Sequence, residues 1–357
     1  MMGWEAFASQ PSTLQDRKLE KAAAMTTYLI RRLFWLIPVL ITVSAVTFII
    51  MRSAPGGPWD TDPERRQVDG ATQKSLNAFY GLDKPMWRQF MAYVIGDTNS
   101  QTHEYVCGMI CGNLGPSYRQ RGRTVQDILF AAPEGKTFWQ SRFGYSLRLG
   151  VMALLMAVFI GIPLGIIAAL KQNTIVDYSA LFLATSGISV PSFVLAIFLI
   201  IIFGAKLHWI DIIVDDWSQI KYWFMPMTVL GFGTMAFTAR LTRSAMLEVL
   251  RQDYVRTARA KGLAERVVVL RHMLKNALIP VITILGPALA GLVTGSFIIE
   301  TMFSFPGMGR AYVQAIGQRD YSLIMGTTVV YALLVAVANL SVDIIYVFID
   351  PRIRLEE

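Results

Sequence analysis

The sequence predicts an all-α membrane protein that crosses the bilayer with six helices. Three observations carry this prediction: 54% of the 357 residues are hydrophobic, only 16% are charged, and the charged residues are missing from six long stretches. Soluble domains carry about a quarter of charged residues, so the composition excludes an ordinary soluble enzyme. It also excludes a disordered chain, because disorder requires low hydrophobicity.

Each of the six stretches is 18 to 28 residues long and contains no Asp, Glu, Lys or Arg. About 20 apolar residues in a helix cross the hydrocarbon core of a bilayer. Helices are required because backbone groups in hydrocarbon find hydrogen-bond partners only within their own segment. Transmembrane strands would instead alternate over about ten residues. The predicted spans are residues 33–51, 149–170, 178–205, 222–239, 276–299 and 321–342, the last continuing past Asp343 to residue 349.

The basic residues of short loops predict the orientation of these spans. Residues 240–275 hold nine Lys and Arg against three Asp and Glu, which makes this loop cytoplasmic. Both termini are then cytoplasmic, and residues 52–148 lie outside, since long segments are translocated regardless of charge. The predicted organisation is a polar extension (1–24), a first transmembrane helix (25–51), an extracytoplasmic subdomain of short helices (52–148), a five-helix core (149–349) that contains the basic loop 240–275, and a cytoplasmic tail (350–357).

The two cysteines, Cys107 and Cys111, lie in the predicted outer segment. This side of the membrane is oxidising, so a disulfide would persist there. Two cysteines four residues apart on a regular helix would, however, give such a bridge a strained geometry. A disulfide and two free thiols both remain open, and a metal site is disfavoured.

Two segments resemble motifs of known enzymes, but each lacks a glycine that its motif requires. Residues 135–137 (Gly-Lys-Thr) resemble the end of a phosphate-binding loop, but Phe130 stands where that loop needs a glycine. The segment around Ser189 lacks the closing glycine of a nucleophile elbow, and none of the three histidines lies near it. Nucleic-acid binding is disfavoured because the basic cluster is a short loop between spans. The sequence therefore predicts a non-enzymatic chain with no cofactor or metal site of its own.

Residues 254–263 of the basic loop have helical periodicity. Tyr254, Val255, Ala258 and Gly262 fall near one face, where the small residues would let another surface approach closely, and Gly262 also suits a helix end. The other positions of the segment are Arg256, Thr257, Arg259, Ala260, Lys261 and Leu263. Two interpretations are open: a basic helix on anionic lipid, or a docking helix for a cytoplasmic partner.

Several polar residues lie within the predicted spans. Asp343 lies about 9 Å from the end of the last span; it is predicted to pair with Arg240 or Arg243, and a functional acid is the alternative. Prolines in these spans predict kinks, because neighbouring helices satisfy the carbonyls that they free. Three serines flank Pro191 in the third span: Ser186, Ser189 and Ser192. They either line a polar path or bond to backbone carbonyls that the proline frees.

An ordered set of motifs resembles the permease subunits of binding-protein-dependent ABC importers, in their peptide-transporter form. The resemblance begins at Met25 and covers nearly the whole remaining chain, and it is strongest to the first permease subunit of oligopeptide importers, a relative of the dipeptide and nickel permeases. The motifs, in chain order, are residues 31–33, 54–58, 81–85, 113–118, 168–174, 254–263, 271–277, 300–309, 319–321 and 350–352.

The resemblance implies that residues 254–263 form a coupling helix in a groove of an ATPase. Arg256, Thr257 and Ala258 then occupy the positions of the family's Glu-Ala-Ala triplet, and Gly262 is its glycine. Only Ala258 and Gly262 match that pattern, so contacts of the family's glutamate do not carry over to Arg256. The implied partners are a second homologous permease, two cytoplasmic ATPase subunits that hold ATP and Mg, an extracytoplasmic solute-binding protein, and a peptide substrate.

These observations lead to one expected function and one alternative. The chain is expected to be a permease subunit of an ATP-driven importer for oligopeptides or related small solutes. It would form half of the translocation pathway in a bacterial plasma (inner) membrane, with lipid around its spans. The alternative is a stand-alone secondary transporter or channel without ATPase partners. That class favours inverted repeats and charges near the middle of the bilayer, and the sequence has no clear example of either.

Overall fold

Helices make up most of the structure, a computed structural model that describes residues 14–59, 69–98 and 104–349. The α-helices are α1 (Leu14–Ser53), α2 (Gly70–Phe79), α3 (Met86–Val94), α4 (Val125–Phe130), α5 (Arg142–Met156), α6 (Ile162–Leu170), α7 (Ile175–Ser189), α8 (Ser192–Leu199), α9 (Phe224–Leu250), α10 (Asp253–Ala260), α11 (Glu265–Val267), α12 (Leu274–Val293), α13 (Phe297–Met302), α14 (Met308–Gln318) and α15 (Tyr321–Ile349). Three π-helical segments follow α5, α8 and α11: Ala157–Gly161, Ile200–Lys206 and Val268–Met273. Two short strands are β1 (Gly96–Thr98) and β2 (Tyr105–Cys107).

Four of the described helices are long and apolar enough to cross a membrane. They are Ile30–Ser53, Arg142–Leu170, Glu265–Val293 and Tyr321–Ser341, and the bent pair α7 and α8 makes a fifth candidate. These five overlap five of the six predicted stretches. Most of the sixth, residues 222–239, lies in α9, which begins at Phe224 and is long but not among the helices that are apolar enough. The all-α membrane class is confirmed, whereas the count of six spans remains a prediction.

The third predicted span is broken rather than kinked. α7 ends at Ser189, Val190 is extended (φ −79°, ψ 122°), and α8 begins after Pro191. Proline lacks an N–H and pushes the preceding residue out of the helical conformation. The two helices therefore meet at 109°.

α9 lies at the centre of the helix packing and contacts α5, α6, α7 and α12. Its neighbours approach it through glycines. A Cβ added to Gly165 of α6 would lie 2.5 Å from the carbonyl oxygen of Ala239, and one added to Gly187 of α7 would lie 2.5 Å from the Cβ of Ala236. Small residues of this kind let helix backbones pack closely in membranes. We therefore treat α6, α7 and α9 as one tightly packed group.

Between α1 and α5 lies a subdomain of short helices. It contains one antiparallel hairpin, and this hairpin was not predicted from the sequence. In the hairpin Gly96 pairs with Cys107 at the end of β2. Cys107 and Cys111 form a disulfide with a Cα–Cα distance of 5.9 Å. Cys111 ends a short 3-10 turn, so the two cysteines do not share a regular helix, and the geometric objection to a bridge does not apply.

Asp320 joins this subdomain to α15. Its buried carboxylate accepts hydrogen bonds from the Ser117 hydroxyl, the Tyr118 N–H (3.1 Å) and the Leu323 N–H (3.2 Å). The bond to Leu323 satisfies one of the free N–H groups at the start of α15. One side chain thus caps the last helix and fixes the loop that carries Ser117.

Candidate coupling site

The basic loop folds into a separate short helix, α10. α9 continues to Leu250, two turn residues follow, and α10 begins at Asp253. An acid in the first turn is favourable at the positive end of the helix dipole. The hydroxyl of Thr257 donates to the Asp253 carbonyl at 2.9 Å, within the same helix.

Gly262 ends this helix through its backbone conformation. Its φ is +76°, a left-handed value that non-glycine residues rarely adopt. Its N–H donates to the Arg259 carbonyl (2.9 Å), and the Leu263 N–H donates to the Ala258 carbonyl (3.4 Å). These bonds satisfy carbonyls that the helix end leaves free. A Cβ at Gly262 would meet nothing within 4 Å, so conformation rather than space selects glycine.

The expected apolar face of α10 points into this chain. Val255 and Ala258 are buried in a cluster with Met246 and Val249 of α9 and with Met273. The surface that approaches Ala258 closely is thus part of this chain. The side that remains exposed carries Arg256, Thr257, Ala260, Lys261 and the half-exposed Tyr254 and Leu263.

Two polar contacts fix α10 to the next helices. The Arg259 guanidinium binds Glu265 of α11 through two bonds, Nη2 to Oε1 at 2.5 Å and Nε to Oε2 at 3.1 Å. The Asn276 amide of α12 donates to the Tyr254 hydroxyl at 2.8 Å. A bidentate arginine–carboxylate pair also restricts orientation. These contacts therefore hold α10 to α11 and α12, in addition to its apolar packing on α9.

Arg243, one of the two expected partners of Asp343, binds Asp177. Nε lies 2.5 Å from Oδ1, and Nη2 lies 2.7 Å from Oδ2. Asp177 is buried at the start of α7 and also accepts the Asn173 N–H at 2.9 Å. Arg240 is exposed, and the side chain of Asp343 lies outside the described residues. Asp177 was missed because it stands just before the predicted third span, where an acid looks like an ordinary boundary residue.

The three candidate pathway serines lie at the break between α7 and α8. Ser186 is half-buried, whereas Ser189 and Ser192 are exposed. Within the described part of the chain their hydroxyls make no hydrogen bond, so the alternative role, bonding to carbonyls that Pro191 frees, is not observed. Val190 N–H instead donates to the Ser186 carbonyl at 2.9 Å.

A buried carboxylate that sequence reasoning did not single out is Glu300 in α13. It accepts bonds from the Ser146 hydroxyl (2.9 Å), the Gly309 N–H (2.7 Å) and the Arg310 N–H (3.2 Å). Burial raises the pKa of Glu300 to about 7. A Cβ at Gly307 would lie 2.3 Å from its Oε2, so glycine is needed there. The available signal was an acid directly after an apolar run and shortly before a Pro-Gly-x-Gly sequence.

None of the described residues forms a cluster of three or more His, Cys, Asp or Glu side chains that could hold a metal ion. The candidate site consists of a short helix with an exposed cationic side and two polar contacts to neighbouring helices. The Asp177–Arg243 pair joins α7 to α9, the helix that precedes it.

Comparison with known proteins decides the family. Residues 161–355 match the family described as binding-protein-dependent transport system inner membrane component, and residues 25–136 match the N-terminal part of such membrane components. This chain belongs to that permease family. The predicted family is thus confirmed, and the second match includes most of the subdomain between α1 and α5.

Relatives of the permease match it along their whole length. The dipeptide transport system permease protein DppB of Bacillus subtilis (strain 168) is 39% identical over 93% of this chain and 99% of its own. The oligopeptide transport system permease protein OppB of Escherichia coli (strain K12) is 37% identical over 92% of this chain and 100% of its own. DppB of Lactococcus lactis subsp. cremoris (strain MG1363) is 36% identical over 93% of this chain and 100% of its own.

Proposed function

We propose that this permease forms half of the translocation pathway of an ATP-driven importer for oligopeptides. The observation that carries the proposal is the similarity, over their full length, to permeases named for dipeptide and oligopeptide transport. The proposed setting is a bacterial inner membrane with six spans and both termini in the cytoplasm. Bound peptide would be delivered from outside by a solute-binding protein.

The proposed partners are a second, homologous permease and two cytoplasmic ATPases, which hold the ATP and Mg that this chain does not bind itself. α10, called the docking helix from here on, would insert its exposed side into an ATPase. Support comes from the exposed cations Arg256 and Lys261 and from the burial of Val255 and Ala258. A helix that packs against the core of this chain on one side and is exposed on the other suits docking better than an irregular loop does.

The break between α7 and α8 is the proposed gate region, with Ser186, Ser189 and Ser192 along the path. A helix broken in the membrane is tolerated where its backbone is buried in protein or lines a cavity. ATP and peptide must both bias the same two-state element, or hydrolysis could not drive transport. The packed group of α6, α7 and α9 connects the docking helix to this break.

Transport by reconstituted liposomes tests the proposal against a stand-alone transporter. The assembly is purified from its native host through an affinity tag on this chain and supplied with its binding protein. The probe is labelled trialanine. Uptake is expected with the complete assembly and enclosed ATP, and none with this chain alone. Uptake by the chain alone, without ATPases, would establish the alternative.

A further inference from the structure

A cavity of about 480 Å³ lies between the outer subdomain and the ends of α1 and α15. Its volume is within the range typical of small-molecule sites. The walls combine tyrosines with charged groups and include Arg52, Tyr80, Tyr93, Lys84, Asp97 and Tyr321. This cavity is remote in sequence from the docking helix and from the break at Pro191, and the proposed function leaves it without a role.

Arg52, the last basic residue of α1, lines this cavity. Within the described chain no Asp or Glu lies within ion-pair distance of it. Its guanidinium instead lies over the rings of Phe48 (5.5 Å) and Tyr321 (5.2 Å) and donates to the Gln89 side-chain oxygen. Ring faces and the negative end of a helix dipole compensate a cation only in part. A ligand that carries an anion would complete the compensation.

Two donors of the cavity wall have no acceptor among the residues that the structure describes. Arg52 Nε and the Tyr93 hydroxyl are both buried and make no hydrogen bond within the described chain. Gln89 and Tyr93 stand four residues apart on α3, so they share one face of that helix. Gln89 is itself fixed by bonds from its amide to the carbonyls of Leu82 (3.1 Å) and Lys84 (2.6 Å). Buried donors without partners are costly, and an oxygen acceptor would satisfy them.

The opposite charge is present in the same cavity. Asp97 lies 2.6 Å from Lys84 and keeps a quarter of its side chain exposed. Arg88 lies 3.8 Å from the same carboxylate, so Asp97 is already paired with two cations. The walls thus fit an anion at Arg52, and Asp97 is the carboxylate of the lining towards which an ammonium group of the same ligand would lie.

We propose that this cavity binds a short peptide on the outer side of the permease, with Arg52 and Tyr93 as donors to its terminal carboxylate. The carboxylate site stands on the geometry alone, whereas the choice of a peptide rests on the proposed function. The site would hold peptide next to α1 and α15, separately from the path at the α7–α8 break.

Binding of labelled trialanine and of trialanine amide to the assembly tests this proposal. The tagged assembly is placed in nanodiscs of neutral phosphatidylcholine, without binding protein or ATP, and affinity is measured by titration. Trialanine is expected to bind saturably, and its amide at least tenfold more weakly, because the amide cannot form a charge-assisted bond with Arg52. Arg52→Gln should weaken trialanine binding by a similar factor, and Tyr93→Phe by a few-fold.

The control variant is Lys74→Gln, which removes an exposed cation of α2 that does not line the cavity, and it should bind like the wild type. Co-purification of the ATPases shows whether each variant is folded. Equal binding of acid and amide, or binding that survives Arg52→Gln in a folded assembly, would overturn the proposal. So would the loss of peptide binding when phosphatidylglycerol is added, which would assign the cavity to a lipid phosphate. If the liposomes take up trialanine but its binding does not depend on Arg52, only this inference is refuted. If the liposomes take up no trialanine, the proposed function is refuted.

Discussion

Gly262 illustrates how the backbone conformation of one residue determines where the docking helix ends. The sequence alone allowed two explanations for a glycine at this position: a small side chain for close docking, or a helix end. The open space that a Cβ would occupy there and the φ of +76° favour the second. A single-residue preference of this kind follows from sterics, because other residues pay about 1 kcal/mol or more in a left-handed conformation.

Substitutions at Gly262 should therefore rank by their tolerance of that conformation. We expect Gly262→Asn to keep ATPase binding close to the wild type, because asparagine accepts left-handed angles. Gly262→Val should weaken binding about fivefold or more, and Gly262→Ala should lie between. Affinity of the purified permease pair for its ATPases measures the order. If asparagine disrupts binding as much as valine, a requirement for a small surface is the better explanation.

Glu300 should make the stability of the assembly depend on pH. Its pKa in the folded chain, about 7, lies above the ordinary value of 4.5 because burial disfavours the charged form. The folded chain then holds the proton more tightly, so the stabilisation is complete below about pH 4.5 and is lost as pH rises towards 7. The size is about 3 kcal/mol at most.

Thermal unfolding between pH 5 and pH 8 tests this assignment. The wild type is expected to lose stability over that range, and Glu300→Gln should flatten the dependence. Glutamine can still accept the two backbone N–H bonds and donate to Ser146. Parallel pH profiles for the wild type and the glutamine variant would contradict the raised pKa.

At the level of secondary-structure elements, the contact between α7 and α9 contains an ion pair that the sequence did not predict. Hydropathy located the apolar part of both helices, because hydrocarbon tolerates few charges. It could not identify Asp177 as the partner of Arg243, since that pairing depends on how two helices are aligned in space. The same limit applies to Glu300 and Ser146, which are 154 residues apart. It also applies to the break at Pro191, for which the sequence predicted only a kink.

Removing one partner of the α7–α9 ion pair should destabilise the permease strongly. Asp177→Asn leaves the Arg243 charge without its carboxylate, and the expected loss is about 3 kcal/mol. This is the low end for buried pairs, because Arg243 keeps 19% of its side chain exposed. The double variant Asp177→Asn/Arg243→Gln should lose less than the sum of the single variants, since it leaves no unpaired charge.

Unfolding of the purified assembly in a double-mutant cycle measures this coupling. Asp253→Asn is the matched control, because the Arg256–Asp253 pair is 3.6 Å long and largely exposed. It should change stability by less than about 0.5 kcal/mol. Additive effects of the Asp177 and Arg243 substitutions would mean that the pair contributes no coupling between α7 and α9.

For the whole molecule, composition predicted the fold class, and the ordered motifs predicted the family. The short-loop charge rule predicted the orientation, which remains a prediction. The cavity was not predictable, because its walls come from α1, α15 and the subdomain between α1 and α5, which are far apart in the sequence. The disulfide also depended on structure, because Cys111 ends a 3-10 turn that the sequence pattern does not reveal and so does not share a regular helix with Cys107.

The central claim is that the docking helix faces the cytoplasm, where ATPases can bind it. Labelling of Lys261→Cys with a membrane-impermeant maleimide tests it most directly, in intact and in permeabilised cells. The control is Lys74→Cys on α2, an exposed position of the outer subdomain. The account predicts that Lys74→Cys reacts in intact cells and that Lys261→Cys reacts only after permeabilisation. Reaction of Lys261→Cys in intact cells would contradict it.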